Sequence, residues 1–196
     1  QTSDSYYRPV LYSYFVLNYK IWGPNPKGFH LTNIFLHLFA AIILYEIGML
    51  LFNNKFISLS GAAIFSVHPV HFETAGRAAG GEIIYGLFVI SSIYFFLLEK
   101  KYLSWILFLL ALFSKESAVV LPFVLLILSI HKNGFKRGLI AITPYLMITA
   151  AYLFLRISVT DSSFGGIVPK TPYIRAITMA AATLDYMILL AVPFPL

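Results

Sequence analysis

The sequence contains no cysteine, which excludes disulfide staples and thiolate metal or redox chemistry from all 196 residues. Charge is nearly as scarce. Asp, Glu, Lys and Arg make up 11% of the chain, against roughly a quarter of an ordinary soluble domain. With 59% hydrophobic residues there is too little polar side chain to cover a water-facing surface, and lipid is the expected solvent. Also missing are a phosphate-binding glycine loop, a serine-hydrolase elbow and a HExxH zinc helix. There is no internal repeat and no low-complexity tract. The net charge of +6 matches a nucleic-acid binder only in total, because its Lys and Arg are scattered between apolar runs. They read as topology signals and partners of lipid phosphate, with no nucleic acid implied.

What the chain does have is a succession of apolar segments. Residues 8–22, "RPVLYSYFVLNYKIW", predict an aromatic amphipathic helix in the headgroup layer, and "GPNPKG" a turn after it. A first span runs from His30 to Phe52, long enough for hydrocarbon roughly 30 Å thick. Further apolar runs cover 56–67, 83–98, 102–113, 117–130, 138–157 and 174–192. The sequence therefore predicts an all-α integral membrane protein. Residues 28–196 form a multi-span helical bundle of six or seven membrane helices, some short or interrupted, behind an extracytoplasmic loop and interfacial helix at 1–27. A polar start without methionine and the abrupt "AVPFPL" predict a piece of a longer chain. The runs 56–67, 102–113 and 117–130 are too short to cross unaided. Residues 102–130 read either as two pieces or as one long helix with Lys115 and Glu116 at its middle.

Alternating these runs across a membrane puts Lys55, Lys100, Lys101, Lys132, Lys136 and Arg137 on one face, taken as cytoplasmic. The other face collects Arg8, His30, His37, His68, His71, Glu73, Arg77, Glu82, Lys115, Glu116 and Arg156. An ionisable residue at a membrane helix centre costs about 2.5–3.5 kcal/mol, so this gathering predicts a polar chamber opening outward. His30, Asn33 and His37 form one helical stripe, either bonding to a neighbouring helix or walling the chamber. In "SVHPVHFETAGR", residues 66–77, His68 and His71 flank Pro69 in a turn. With Glu73 they have ligand chemistry, but the spacing matches no metal signature and no metal is expected. Lys115 and Glu116 read either as a neighbouring ion pair at a helix break or as a lipid-phosphate holder. Arg8 and Arg156 offer guanidinium forks to the same phosphate.

The order "YYRPV", "FHLTNIFLH", "FSVHPVHFETAGR", "LFSKESAVVLPFVLL" resembles one family. It is similar to the membrane half of the transmembrane and tetratricopeptide-repeat protein O-mannosyltransferases and their bacterial relatives, of the GT-C class. The similarity covers residues 6 to about 125. It implies inverting transfer of a mannose-like sugar from a polyprenyl-phosphate carrier to a hydroxyl acceptor, protein Ser/Thr or glycan. The reaction would lie on the extracytoplasmic side of a bacterial cytoplasmic membrane, or of the ER membrane in a eukaryote. Carried over by position, Arg8, His30, Asn33, His37, His68, His71, Glu73, Lys115 and Glu116 belong to the cavity for donor and acceptor. The resemblance implies an acidic base upstream of "YYRPV", in an outer loop this stretch lacks; Asp4 is a weak candidate. No cofactor is implied beyond the lipid-linked sugar. Implied partners are membrane lipid, the polyprenyl-phosphate sugar, the acceptor and other membrane subunits. Two other classes fit the residues: a transporter or channel with a midplane site, and a non-catalytic subunit of a larger membrane assembly.

Overall fold

A computed structural model describes residues 7–71, 81–159 and 172–191. Among them all regular structure is helical. Helix α1 spans Pro9–Trp22, α2 Pro26–Phe52, α3 Lys55–Val67, α4 Glu82–Leu97 and α5 Lys101–Ser114. A 3-10 turn, Glu116–Val120, leads into α6, Leu121–Asn133, followed by α7, Phe135–Val159, and α8, Pro172–Ala191. The expected all-α membrane bundle is formed, with helices that follow the apolar runs. The single long helix over 102–130 is not. Lys115 is extended, with φ −156° and ψ 131°, and breaks that segment in two.

Local chemistry sets these boundaries. Pro9 and Pro26 open α1 and α2, where a missing N–H costs no helix bond. The Asn25 side chain accepts from the Lys27 N–H, and Asn54 accepts from Phe56 and Ile57, so both cap orphan donors. Gly134 adopts φ 80°, a left-handed conformation that suits glycine, and α6 turns into α7 through that one residue.

Helix α2, the segment Glu116–Asn133 and α7 are long and apolar enough to cross a membrane; α3, α4, α5 and Ile177–Leu189 are shorter apolar helices. Up-and-down alternation brings the turns at 53–54, 98–100 and 134 to one end of the bundle. Arg8, His68, Glu82 and the Lys115 break come to the other.

Two apolar clusters hold the helices. Phe108, Ala111, Leu112, Leu125, Ile142 and Tyr145 join α5, α6 and α7. Ala40, Ile43, Ile47 and Leu87 join α2 and α4, and Ile93 of α4 packs against both clusters. Buried hydroxyls add direction to this packing. Ser92 and Ser104 each donate to the other's backbone carbonyl, at 2.9 and 2.7 Å, and the Tyr145 hydroxyl meets Ser104 Oγ at 2.6 Å. Such polar pairs join helices whose apolar surfaces are equally at home in lipid. Close approach needs small residues: a Cβ on Gly48 would lie 2.9 Å from Ser58 Cβ, so α3 seats directly on α2. The outward faces remain apolar, with Phe35, Phe39, Ile127, Ile140, Met147 and Phe154 exposed. Surface of that kind over several helices fits hydrocarbon, not water. Helix α1 follows the same inversion, burying Tyr14 and Asn18 while exposing Val16, Leu17 and Ile21.

Candidate functional site

The Lys115 break is where charge enters the bundle. Its extended backbone sends two adjacent side chains to different partners. Glu116 accepts from Arg8 Nε at 3.0 Å and from Arg8 Nη2 at 2.8 Å, a two-point fork reaching across 108 residues. Lys115 Nζ donates instead to Glu82 Oε1 at 2.9 Å, and lies 5.9 Å from the centre of the Tyr85 ring. Arg156, from the last turn of α7, is close enough for its charge to act on Glu116 and Tyr152. Close to the Arg8–Glu116 fork runs a chain of aromatic contacts. Tyr7 meets Phe113 edge-on at 6.1 Å, and Phe113 meets Tyr152 at 5.7 Å. Arg8, Lys115 and Arg156 therefore stand with Glu82 and Glu116, leaving an excess of positive charge.

Next to this network lies a cavity of about 200 Å³, whose lining includes His37, Phe65, His71, Glu82, Tyr85 and Ile90. Glu82 and Tyr85 belong to both places, so Lys115 lies against two lining residues of the cavity, three apart on α4. In the same lining, Phe65 packs with a small imidazole group: its ring is 5.0 Å from His37 and 4.4 Å from His71. His71 is also 5.3 Å from His37 and 6.2 Å from His68. His37 Nε2 lies 3.2 Å from the Ser66 carbonyl, which can only accept, so that nitrogen carries the proton. Burial, reinforced by the neighbouring His37 and His68, pushes the His71 imidazole below its ordinary pKa and keeps it neutral at pH 7. Among the described residues no three His, Asp or Glu side chains gather in a metal-holding group.

The structure thus brings together Arg8, Glu82, Lys115, Glu116 and Arg156 in one network, and His37, His68 and His71 beside it. Asn33 stands apart. It is fully buried and accepts from the Tyr14 hydroxyl, which pins α1 to α2. His30 lies early in α2, two turns before His37, and is not part of the cavity wall. Asp4, Glu73 and Arg77 lie outside the described residues. Residues missed in the sequence are the aromatic ones: Phe65, Tyr85, Phe113 and Tyr152. Spacing held a signal for two of them, since Tyr85 follows Glu82 by three and Tyr152 precedes Arg156 by four, each on one helix face.

Known proteins carry the same likeness. The chain is 34% identical over 95 residues to a protein O-mannosyl-transferase of Caenorhabditis elegans, covering 46% of this chain and 14% of that protein. It is 36% identical over 80 residues to the protein O-mannosyl-transferase TMTC1 of Homo sapiens, covering 40% of this chain and 9% of that one. With the protein O-mannosyl-transferase Tmtc1 of Drosophila melanogaster it shares 31% identity over 125 residues, 60% of this chain and 15% of the relative. The resemblance read from the four motifs stands. The chain spans between 9% and 15% of the length of these relatives. No family model and no solved structure matches it.

Proposed function

We propose that this chain is the central membrane portion of a GT-C-type glycosyltransferase that moves a mannose-like sugar from a polyprenyl-phosphate carrier to a hydroxyl acceptor on the extracytoplasmic side. One observation carries the reading: Arg8, Lys115 and Arg156 gather at one end of a lipid-facing bundle, beside a cavity of about 200 Å³. The names of the relatives supply the reaction class.

The chemistry follows from that charge. The acceptor oxygen attacks the anomeric carbon opposite the carrier, the bond from that carbon to the phosphate oxygen breaks, and the phosphate leaves with the electron pair. The acceptor proton goes to a base, assigned through the resemblance to an acidic residue of an outer loop. Negative charge grows on the departing phosphate, and cations already in place lower that barrier without rearranging. Lys115, a point charge held beside the cavity by Glu82, takes the leaving phosphate, with Arg156 adding charge to the same cluster. Glu116 has both carboxylate oxygens committed to Arg8, so it positions that guanidinium and does not take the acceptor proton. The apolar outer face of the bundle lets the carrier's tail remain in the bilayer while its phosphate reaches the cluster. No cofactor is needed, because the lipid-linked sugar is already activated.

The test is transfer by the full-length protein in proteoliposomes, from polyprenyl-phosphate-mannose to a serine- and threonine-bearing peptide. Lys115→Ala should lower kcat by about 10²–10³-fold, the cost of losing one preorganised group at a developing anion. Turnover unchanged in the variant would remove the phosphate role, and no transfer by the unaltered protein would remove the reaction.

A further inference from the structure

The end of the bundle opposite the charged cluster holds a second and larger cavity. It measures about 510 Å³ and lies between α4, α5, α6 and α7, within the range that accommodates a small-molecule headgroup. Lys101, Lys132 and Arg137 all line it, facing a single carboxylate, Glu99. Glu99 adopts φ 62°, unusual for a residue with a side chain, and accepts from Lys132 Nζ at 3.0 Å. The cavity's cations thus outnumber its carboxylate.

Deeper in, one polar group lacks what it needs. Ser129 lines this cavity, is only 1% exposed, and its buried hydroxyl has no hydrogen-bond partner. Such a group is costly in a native interior and calls for an occupant. Pro144, inside α7, lines the cavity as well. Ile140 also lines the cavity. The remaining walls are greasy, with Trp105 and Leu128 beside it. Cations at the mouth, a spare hydroxyl inside, and apolar walls among lipid-facing helices describe one kind of ligand.

We propose that this cavity binds one anionic phospholipid from the leaflet at that end of the bundle. Its phosphate sits among Lys101, Lys132 and Arg137, and takes the Ser129 hydroxyl proton as a hydrogen bond. The first acyl segments lie along Trp105 and Leu128. Basic pockets between membrane helices are well suited to this. A free phosphate ion would satisfy the cations but leave the apolar walls unused, which favours the lipid. The proposal does not depend on the transferase reading, because the two sites lie at opposite ends.

The experiment is native mass spectrometry of the full-length protein in mild detergent, titrated with phosphatidylglycerol or phosphatidylcholine. One phosphatidylglycerol should be retained in preference to phosphatidylcholine. Each basic side chain beside an anionic headgroup counts for roughly fivefold in affinity, so Lys101→Ala with Arg137→Ala should weaken retention about thirtyfold. Ser129→Ala, nearly isosteric and safe for the fold, should weaken it by about tenfold. Lys20→Ala with Lys27→Ala, at the other end, should leave it unchanged. Equal retention of the two lipids, loss that is equal in the Lys20 and Lys27 control, or undiminished retention in both cavity variants would overturn the proposal. So would displacement of the lipid by inorganic phosphate at millimolar concentration, which would mark an anion site only.

Discussion

The two ends of the bundle carry ion pairs of almost equal length, 2.8 Å for Arg8–Glu116 and 3.0 Å for Lys132–Glu99. Their surroundings differ. The side chains of Arg8 and Glu116 are 21% and 29% exposed, joined at two points and close to the Phe113–Tyr152 ring pair. Those of Lys132 and Glu99 are 52% and 72% exposed and share one contact. Separation alone therefore says little about strength. Water competes freely at the second pair and only partly at the first. One end fixes its cations in place by carboxylates; the other leaves them available to whatever anion arrives.

Breaking the fork at the enclosed end should have the largest effect. Arg8→Ala strands a half-buried carboxylate and should cost about 1–2 kcal/mol, a charged hydrogen-bond loss discounted for partial exposure. Denaturant unfolding in detergent measures it; a cost no larger than that of an exposed substitution would erase the contrast. A smaller effect should come from acid. Because His71 is depressed below its ordinary value, the unfolded chain takes up a proton between the folded and unfolded pKa that the folded chain refuses. Stability present above about pH 6.5 should then fall as pH drops through that window. His71→Asn should flatten this fall; an identical pH profile in both proteins would remove His71 as its source. The smallest effect belongs to the exposed end. Glu99→Gln should leave the unfolding midpoint unmoved, and a clear drop would show that the open pair contributes as the enclosed one does.

Much of this architecture was legible. Apolar runs marked the helices because lipid demands length and apolarity together, and neither depends on a distant partner. The break at Lys115 was only half legible: "SKES" puts two charges and two hydroxyls inside an apolar stretch, which fitted either two pieces or one long helix. That Arg8, Lys115, Glu116 and Arg156 share one end followed from counting crossings. Their pairing did not. Lys115 reaches Glu82 and Glu116 reaches Arg8 because the backbone at Lys115 is extended, a conformation that spacing does not announce. Asn33 illustrates the same gap. Its stripe with His30 and His37 is real, but its partner, Tyr14, comes from a helix whose docking face could not be read from its own residues. Ser129 gave no sign at all, since a serine near a helix end in lipid is ordinary until its lack of a partner is seen.

The order of the two residues at the break has a consequence of its own. Lys115 caps the C-terminal end of α5, where carbonyls concentrate partial negative charge, and Glu116 opens the 3-10 turn, where N–H groups concentrate partial positive charge. Each side chain faces the dipole end that suits it. Exchanging the two letters would preserve composition, hydropathy and net charge, yet set a carboxylate against carbonyls and an ammonium against N–H groups. The polarity of the main chain therefore discriminates between two sequences that any tally of residues would score as the same.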